Sequence, residues 1–506
     1  MQIRWQLIIL CLVFMAYSCK KDSYSPPIPP PVNPTNPVAP VTPSIQFSLS
    51  NVLRSNMVVQ RNKPFIIWGK GAQSLTIAVN VSWNNTTFYA TANASGNWQV
   101  SIPAAAANAS PQTIVVKADN SPAITLNNIL IGDVWICSGQ SNMVFEVDSI
   151  PPFRGVTNYP AEIAAANYPE IRTLTLQEDL KASPVDSLTY PEKWMVCSPT
   201  TVGPVSGVAY YFAQKLNITL NVPIGIIISA VDGTSCEAWT NEAAFQANPN
   251  LAAYSDINNA TMLYNGMINP LINLSITGFI WYQGENNRHN NPPDYTNLNS
   301  ALIQGWRSVF NQGSLPFYLV QMPPFAVDYY NTTPVGGDPT ADDYAKFREA
   351  QANVLAVTNT GMAVTMDVGE PANQHPQNKK PVGERLALLA LKNVYSQNVQ
   401  CYGPKFSSLT TNGNTATINF ASGTADGLNT INNAPLKQYF FVAGANQVFY
   451  PGSAVINGNQ VVVTAPTAVT LPIIAVRYAF TNAPVTNLQN SAGLPVEPFR
   501  TDNWAN

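Results

Sequence analysis

A three-layer α/β core around a parallel sheet, with a β-sandwich before it and a further β module after it, is the fold class this sequence predicts. Three features point there: short β-rich runs near the start, strands alternating with long helices through the middle, and a return of β runs near the end. From 46 to 128 the runs Phe65–Trp68, Leu75–Val81, Trp98–Ile102 and Thr113–Val116 are split by Gly, Asn and Pro, the spacing of a small sandwich. From 129 to 396 the texture changes. Val134–Ile136 reads as a buried strand, Gly207–Leu220 as a helix, Ile224–Ser229 as a strand and Thr261–Leu274 as a helix. Strand Phe279–Gln283, helix Tyr295–Phe310, strand Pro316–Gln321, helix Tyr344–Ala356, strand Met362–Met366 and helix Val382–Tyr395 continue the alternation. Strands alternating with helices of this length imply a parallel sheet covered on both faces. From 397 to 506, Thr415–Phe420, Val461–Val463 and Ile473–Phe480 mark the second β module.

Ahead of these domains, residues 1 to 18 have the layout of a secretory signal, with Arg4 before an apolar run from Leu7 to Met15. That run is shorter than the ~20 apolar residues of a spanning helix. The stretch from Ala16 through Cys19 to Asp22 resembles the lipobox of bacterial lipoproteins, which implies lipidation of Cys19. Residues 19 to 45 then form a spacer. Nine prolines between 26 and 43 favour extended polyproline II and cannot build a core. The expectation is an exported lipoprotein, outer-membrane or periplasmic, that meets a membrane only through the anchor at Cys19; plain secretion is the alternative.

The chain has 506 residues, 46% hydrophobic and only 10% charged, against roughly 25% charged in a typical soluble domain. With 25 basic and 28 acidic residues the net charge is −3, which offers no field for a polyphosphate and argues against nucleic acid as a partner. His289 and His375 are the two histidines, so a histidine base must be one of them and a multi-histidine metal site is nearly excluded. No cofactor or metal is expected. Beyond the signal and Cys19, Cys137, Cys197, Cys236 and Cys401 allow three disulfide pairings, and buried free thiols fit equally well.

In a sheet of this kind ligands gather at the carboxyl ends of the strands. The first core strand runs into Cys137-Ser138-Gly139-Gln140-Ser141-Asn142-Met143, a tight turn that would set Ser141 at a helix start, where unpaired NH groups favour an anion. An ordinary serine cap fits that turn as well. No G-x-S-x-G elbow occurs. The second strand ends at Asp232-Gly233-Thr234, where glycine allows a close backbone approach to a ligand. The third ends at Gln283-Gly284-Glu285-Asn286-Asn287, whose amides suit an oxyanion donor or a turn cap. The last leads through Asp367 and Glu370 to His375, a candidate base beside candidate acids.

The order of these blocks resembles the SGNH hydrolases and, within them, the sialate O-acetylesterase family of carbohydrate esterases. The resemblance runs through Asn56 to Arg61, Gly132 to Met143, Gly233-Thr234 with Glu237-Ala238-Trp239, Trp281 to Asn287, Phe347 to Gln351, His375-Pro376 with Lys379 or Lys380, Val476 to Phe480, and Gly493 to Asp502. It implies a serine esterase that hydrolyses acetyl esters on sialic acid or on plant or host glycans. Ser141 would be the nucleophile and His375 the base, with the NH groups of Ser141 and Gly233 and a side-chain amide holding the oxyanion. Gln283, directly at the strand end, is placed ahead of Asn287 for that amide. Gln140, Asn142, Glu237, Trp239, Glu285 and Arg288 are the residues expected to contact substrate. Arg288 suits a sialic acid carboxylate, and Trp239 or Tyr282 would serve as an aromatic platform.

Two departures stand out. Family members usually carry an aspartate two or three residues before the histidine, and here those positions hold Asn373 and Ala372. Glu370 or Asp367 would then have to serve as the acid, unless the site is a Ser-His dyad. Val231-Asp232 replaces the usual Trp-Gly before Gly233, adding a carboxylate that could itself be the replacement acid. The missing acid leaves one alternative, a carbohydrate-binding lipoprotein of esterase fold with weak or lost catalysis.

Overall fold

The structure, a computed structural model, describes residues 47–119, 121–288, 292–326 and 342–504, all within one compact unit. The signal, Cys19, the proline-rich spacer and His289 lie outside the described residues.

The central sheet is built from β1 (Ile124–Gly139), β2 (Tyr168–Thr175), β3 (Met195–Cys197), β4 (Ile224–Ala230), β5 (Gly278–Tyr282), β6 (Phe317–Val320) and β7 (Thr360–Ala363). Its order is β3-β2-β4-β1-β5-β6-β7, parallel throughout except for β3 at the edge. Side chains alternate between the two faces, as a pleated strand requires. On β1, Val134 and Ile136 enter one core and Trp135 and Cys137 the other; on β5, Phe279 and Trp281 oppose Ile280 and Tyr282. Helices α1 (Gly207–Leu220) and α2 (Lys380–Asn393) pack together over the second of these faces, while α3 (Pro292–Phe310) and α4 (Asp343–Asn353) pair with each other. The architecture is mixed α/β, a parallel sheet flanked by antiparallel β sheets, as the sequence predicts.

β1 is 16 residues long and serves two layers. Its first half pairs with Val58–Gln60 and Asn108–Ala118 of the N-terminal β region, and its second half with β4 and β5. The expected boundary between 128 and 129 therefore falls inside a continuous strand. Asp133 sits at the changeover, taking Arg61 Nε at 3.0 Å and Nη2 at 2.9 Å, and Gln60 Nε2 at 3.1 Å.

The expected helix Thr261–Leu274 is not continuous. It breaks into a π turn, Tyr264–Ile268, and a 3-10 turn, Asn269–Leu271. Pro270 lacks the NH a helix would use, and the Asn265 and Asn269 amides donate instead to the carbonyls of Lys181 and Val185. The C-terminal region forms two four-stranded antiparallel sheets and a short two-stranded one around its own apolar core. Cys137, Cys197, Cys236 and Cys401 are all buried free thiols.

Candidate active site

The site lies at the carboxyl edge of the sheet, where β1, β4, β5 and β7 deliver their loops. β1 ends in Gly139 at φ 141°, where a Cβ would stand 2.0 Å from the Tyr282 carbonyl oxygen, so only glycine fits. Gln140 N donates to that same carbonyl at 3.0 Å, which clamps the turn onto β5. Ser141 then opens a short helical turn, Ser141–Val144, and is 2% exposed. After β4 the chain reaches Gly233 at φ 67°, in open space. Among the described residues, neither Ser141 N nor Gly233 N has a hydrogen-bond acceptor.

The loop after β7 carries His375, half-buried, its ring edge-on to Phe153 at 5.3 Å. Desolvation holds the imidazole below its usual pKa; the Lys379 cation pushes the same way and Asp232 opposes it. Asn142 Nδ2 donates to the carbonyl of Gln374 at 3.1 Å. The residue after the candidate nucleophile is thus bonded to the residue before the candidate base.

The expected acids lie elsewhere. Asp367 gives both oxygens to Arg385, at 2.7 and 2.6 Å, a buried bidentate pair that shares the Arg with the Val364 carbonyl. Glu370 organises the loop backbone: Oε1 accepts from Gln377 N at 2.7 Å and Oε2 from Asn373 Nδ2 at 2.9 Å. Asn373 in turn accepts from His375 N at 3.0 Å.

Gln283 is fully buried and its amide nitrogen lies near three acceptors, Gln140 Oε1 at 3.1 Å, Thr234 O at 3.2 Å and Asn287 Oδ1 at 2.7 Å. Asn287 Oδ1 also accepts from Cys236 N at 2.8 Å, which orients its amide, and its Nδ2 donates to Glu237 Oε2 at 2.8 Å. Gln140, Asn142, Glu237, Trp239 and Glu285, expected to contact substrate, are buried: Asn142 donates to Glu285, Gln140 Oε1 accepts from Gln283 Nε2 and Asn286 N, and Glu237 accepts from Asn287. They form the floor of the site, where most of their polar groups find partners on neighbouring strand-end loops. Trp239 is fully buried, with Nε1 on Thr234 Oγ1, and Tyr282 lies beneath Lys379, so neither ring is an open platform. Arg288 is half-buried, its guanidinium 5.5 Å from the Tyr344 ring.

Lys379 is a buried group of the site that the strand-end pattern does not single out. It was visible only as a lysine in the block that follows His375, and nothing in the spacing distinguished it from Lys380. The structure separates them: Lys379 is 1% exposed and Lys380 lies on the surface beside Glu162.

Residues 131–392 match the family described as carbohydrate esterase, sialic acid-specific acetylesterase. The sialate O-acetylesterase of Homo sapiens is 27% identical over 401 residues, 71% of this chain and 73% of that protein. That of Mus musculus is 26% identical over 440 residues, 73% of this chain and 78% of its own. The crystal structure of a carbohydrate acetylesterase from Xanthomonas citri superposes with a TM-score of 0.81 at 33% identity, covering 90% of this chain and 100% of that one. Fold and comparisons together define the class, a carbohydrate esterase on a three-layer α/β core. Within it, the chain belongs to the sialic acid-specific acetylesterase family.

Proposed function

We propose that this esterase removes acetyl groups from sugar hydroxyls by a Ser141–His375 mechanism. The observation that carries the reading is the convergence at one sheet edge of Ser141, two uncommitted NH groups and the His375 loop, tied together through Asn142 and Gln374. Ser141 Oγ attacks the acetyl carbonyl carbon while His375 takes its proton, and the oxyanion forms against Ser141 N and Gly233 N. Collapse breaks the bond to the sugar oxygen, which takes the proton from His375, leaving acetyl-Ser141. Water, deprotonated by His375, attacks the acetyl group, and acetate departs as Ser141 regains its proton.

Asn287 is the better third donor. The two amide hydrogens of Gln283 have three acceptors in reach, whereas Asn287 Nδ2 spends one on Glu237. For the acid we propose Asp232, the carboxylate whose charge favours the imidazolium of His375. It occupies the departure from the family pattern in the loop after β4, while Asp367 and Glu370 are committed elsewhere. We propose in addition that the chain is exported and lipid-anchored through Cys19. Labelled fatty acid should enter the wild type and not Cys19→Ala.

The deciding experiment is acetate release from acetylated sialic acid, acetylated xylan and p-nitrophenyl acetate. Wild type should turn over, Ser141→Ala and His375→Ala should fall to background, and Asp232→Asn should lose a large part of kcat. Wild type indistinguishable from Ser141→Ala on every ester would sink the catalytic reading and favour the glycan-binding one, which the Asn at 373 motivates. Full activity in Asp232→Asn would remove only the assignment of the acid.

A further inference from the structure

We propose that Lys379 is a positioning residue whose buried ammonium, held through Asn142 to Glu285, locks the serine turn to the histidine loop. The inference rests on the Ser141–His375 reading and adds a group which that mechanism does not use.

The placement of Lys379 breaks a local rule. It is the N-cap residue of α2, a helix of 14 residues, where the exposed NH groups and the dipole favour an anion. It is also buried, a costly state for an ammonium without compensation. The compensation is specific. Nζ donates to Asn142 Oδ1 and sits 4.6 Å from the centre of the Phe145 ring and 5.4 Å from that of Tyr282. The other end of the same amide donates from Nδ2 to Glu285 Oε1 and to Gln374 O. Ammonium, amide and carboxylate thus form one chain running from the histidine loop through the serine turn to the loop after β5.

This chain has a single allowed orientation. Turning the Asn142 amide over would set its NH2 against the ammonium and its oxygen against a carboxylate and a carbonyl. The lysine therefore determines which end of Asn142 faces Gln374, and so whether the bond that spans the candidate nucleophile and base exists at all. Without Lys379 the amide loses the partner that orients it, and the tie at Gln374 loosens.

The charges around the pair agree with this role. Lys379 faces Glu285 and Glu370, and burial lowers its pKa to about 7. Glu285 is buried, with Lys379 and Arg288 acting on it, and its pKa is raised by desolvation. Among the described residues, Glu285 Oε2 has no hydrogen-bond donor. His375 feels Lys379 on one side and Asp232 on the other. A cation in the same loop, fixed by Asn142, disfavours imidazolium while the enzyme waits for substrate.

The test uses the protein's two histidines, whose ring resonances can be followed by NMR and assigned with His289→Asn. Wild type, Lys379→Met, Lys379→Arg and Glu285→Gln are titrated and assayed for acetate release. Lys379→Met should lower kcat by roughly ten- to hundredfold with KM within about twofold. Its His375 pKa should rise toward the ordinary value of about 6.5, and Lys379→Arg should bring it part of the way back. Glu285→Gln, which keeps an acceptor for Asn142, should lose less kcat than Lys379→Met. A folded Lys379→Met with wild-type kcat and His375 pKa overturns the proposal. Should Lys379→Met not fold, Lys379→Gln takes its place, and a folded Lys379→Gln with wild-type kcat and His375 pKa is equally fatal. Because the NMR readout does not need turnover, failure of the Ser141–His375 mechanism shows separately, as background activity in wild type.

Discussion

Asn373 holds Glu370 and the His375 carbonyl with its two amide hydrogens, so the position that usually carries an acid here needs a donor. Simply restoring aspartate would set two carboxylates against each other. We expect Asn373→Asp to lower both Tm and acetate release, and Asn373→Asp/Glu370→Gln to recover most of the loss; equal behaviour of the single and double variants would contradict this. Gly139 is a second point of single-residue control. Gly139→Ala places a methyl group against the Tyr282 carbonyl at a φ that L residues avoid, and should cost roughly 3 kcal/mol or more in urea unfolding. Lys379 adds a pH signature. Its folded pKa of about 7 lies below the ordinary lysine value of 10.5, so between those limits the unfolded chain binds more protons and stability rises with pH. The Tm difference, wild type minus Lys379→Met, should therefore grow between pH 7 and pH 9.

At the scale of elements, charged motif residues join segments that are distant in sequence. Arg348 of α4 donates to the carbonyls of Thr481 and Asn482, and Glu349 of the same helix takes Arg500 with two bonds of 2.8 Å. Arg477 holds Asp502 at 3.0 and 2.8 Å. Gln351 reaches back to the site, donating to the Gln283 and Val320 carbonyls, so α4 supports the loop after β5 from behind. β1 depends on Asp133 in the same way. Asp133→Ala would leave the Arg61 guanidinium without its two acceptors and take one from Gln60 at the point where the strand changes layer. Breaking one partner of a largely buried pair costs on the order of 3 kcal/mol, which a shift in urea midpoint at unchanged slope would report.

For the whole molecule, the shared strand couples the N-terminal β region to the catalytic core. Removing residues 47–118 would strip β1 of Val58–Gln60 and Asn108–Ala118 and expose Ile129 and Ile131, both buried. We expect that truncation to be insoluble, and the intact protein to unfold in one transition by both tryptophan fluorescence and far-UV circular dichroism. A soluble, active 119–506 fragment would show that β1 folds without its first set of partners.

The sequence by itself determined the layer order and which residues reach the ligand edge. Alternation of period two and of 3.6 is local, and in a parallel sheet the loops after the strands, which carry Ser141, Gly233, Gln283 and His375, share one edge. The helix expected over 261–274 does not form because Pro270 interrupts its apolar pattern, while the competing bonds of Asn265 and Asn269 reach partners more than 80 residues away. The same reason hid the division of labour in the site. Whether Asp367 meets His375 or Arg385, whether Gln283 or Asn287 has a hydrogen to spare, and whether Lys379 or Lys380 is buried are all decided by neighbours brought together across four strand ends. Residue type and spacing carry the chemistry available to each side chain; only tertiary packing settles which partner takes it.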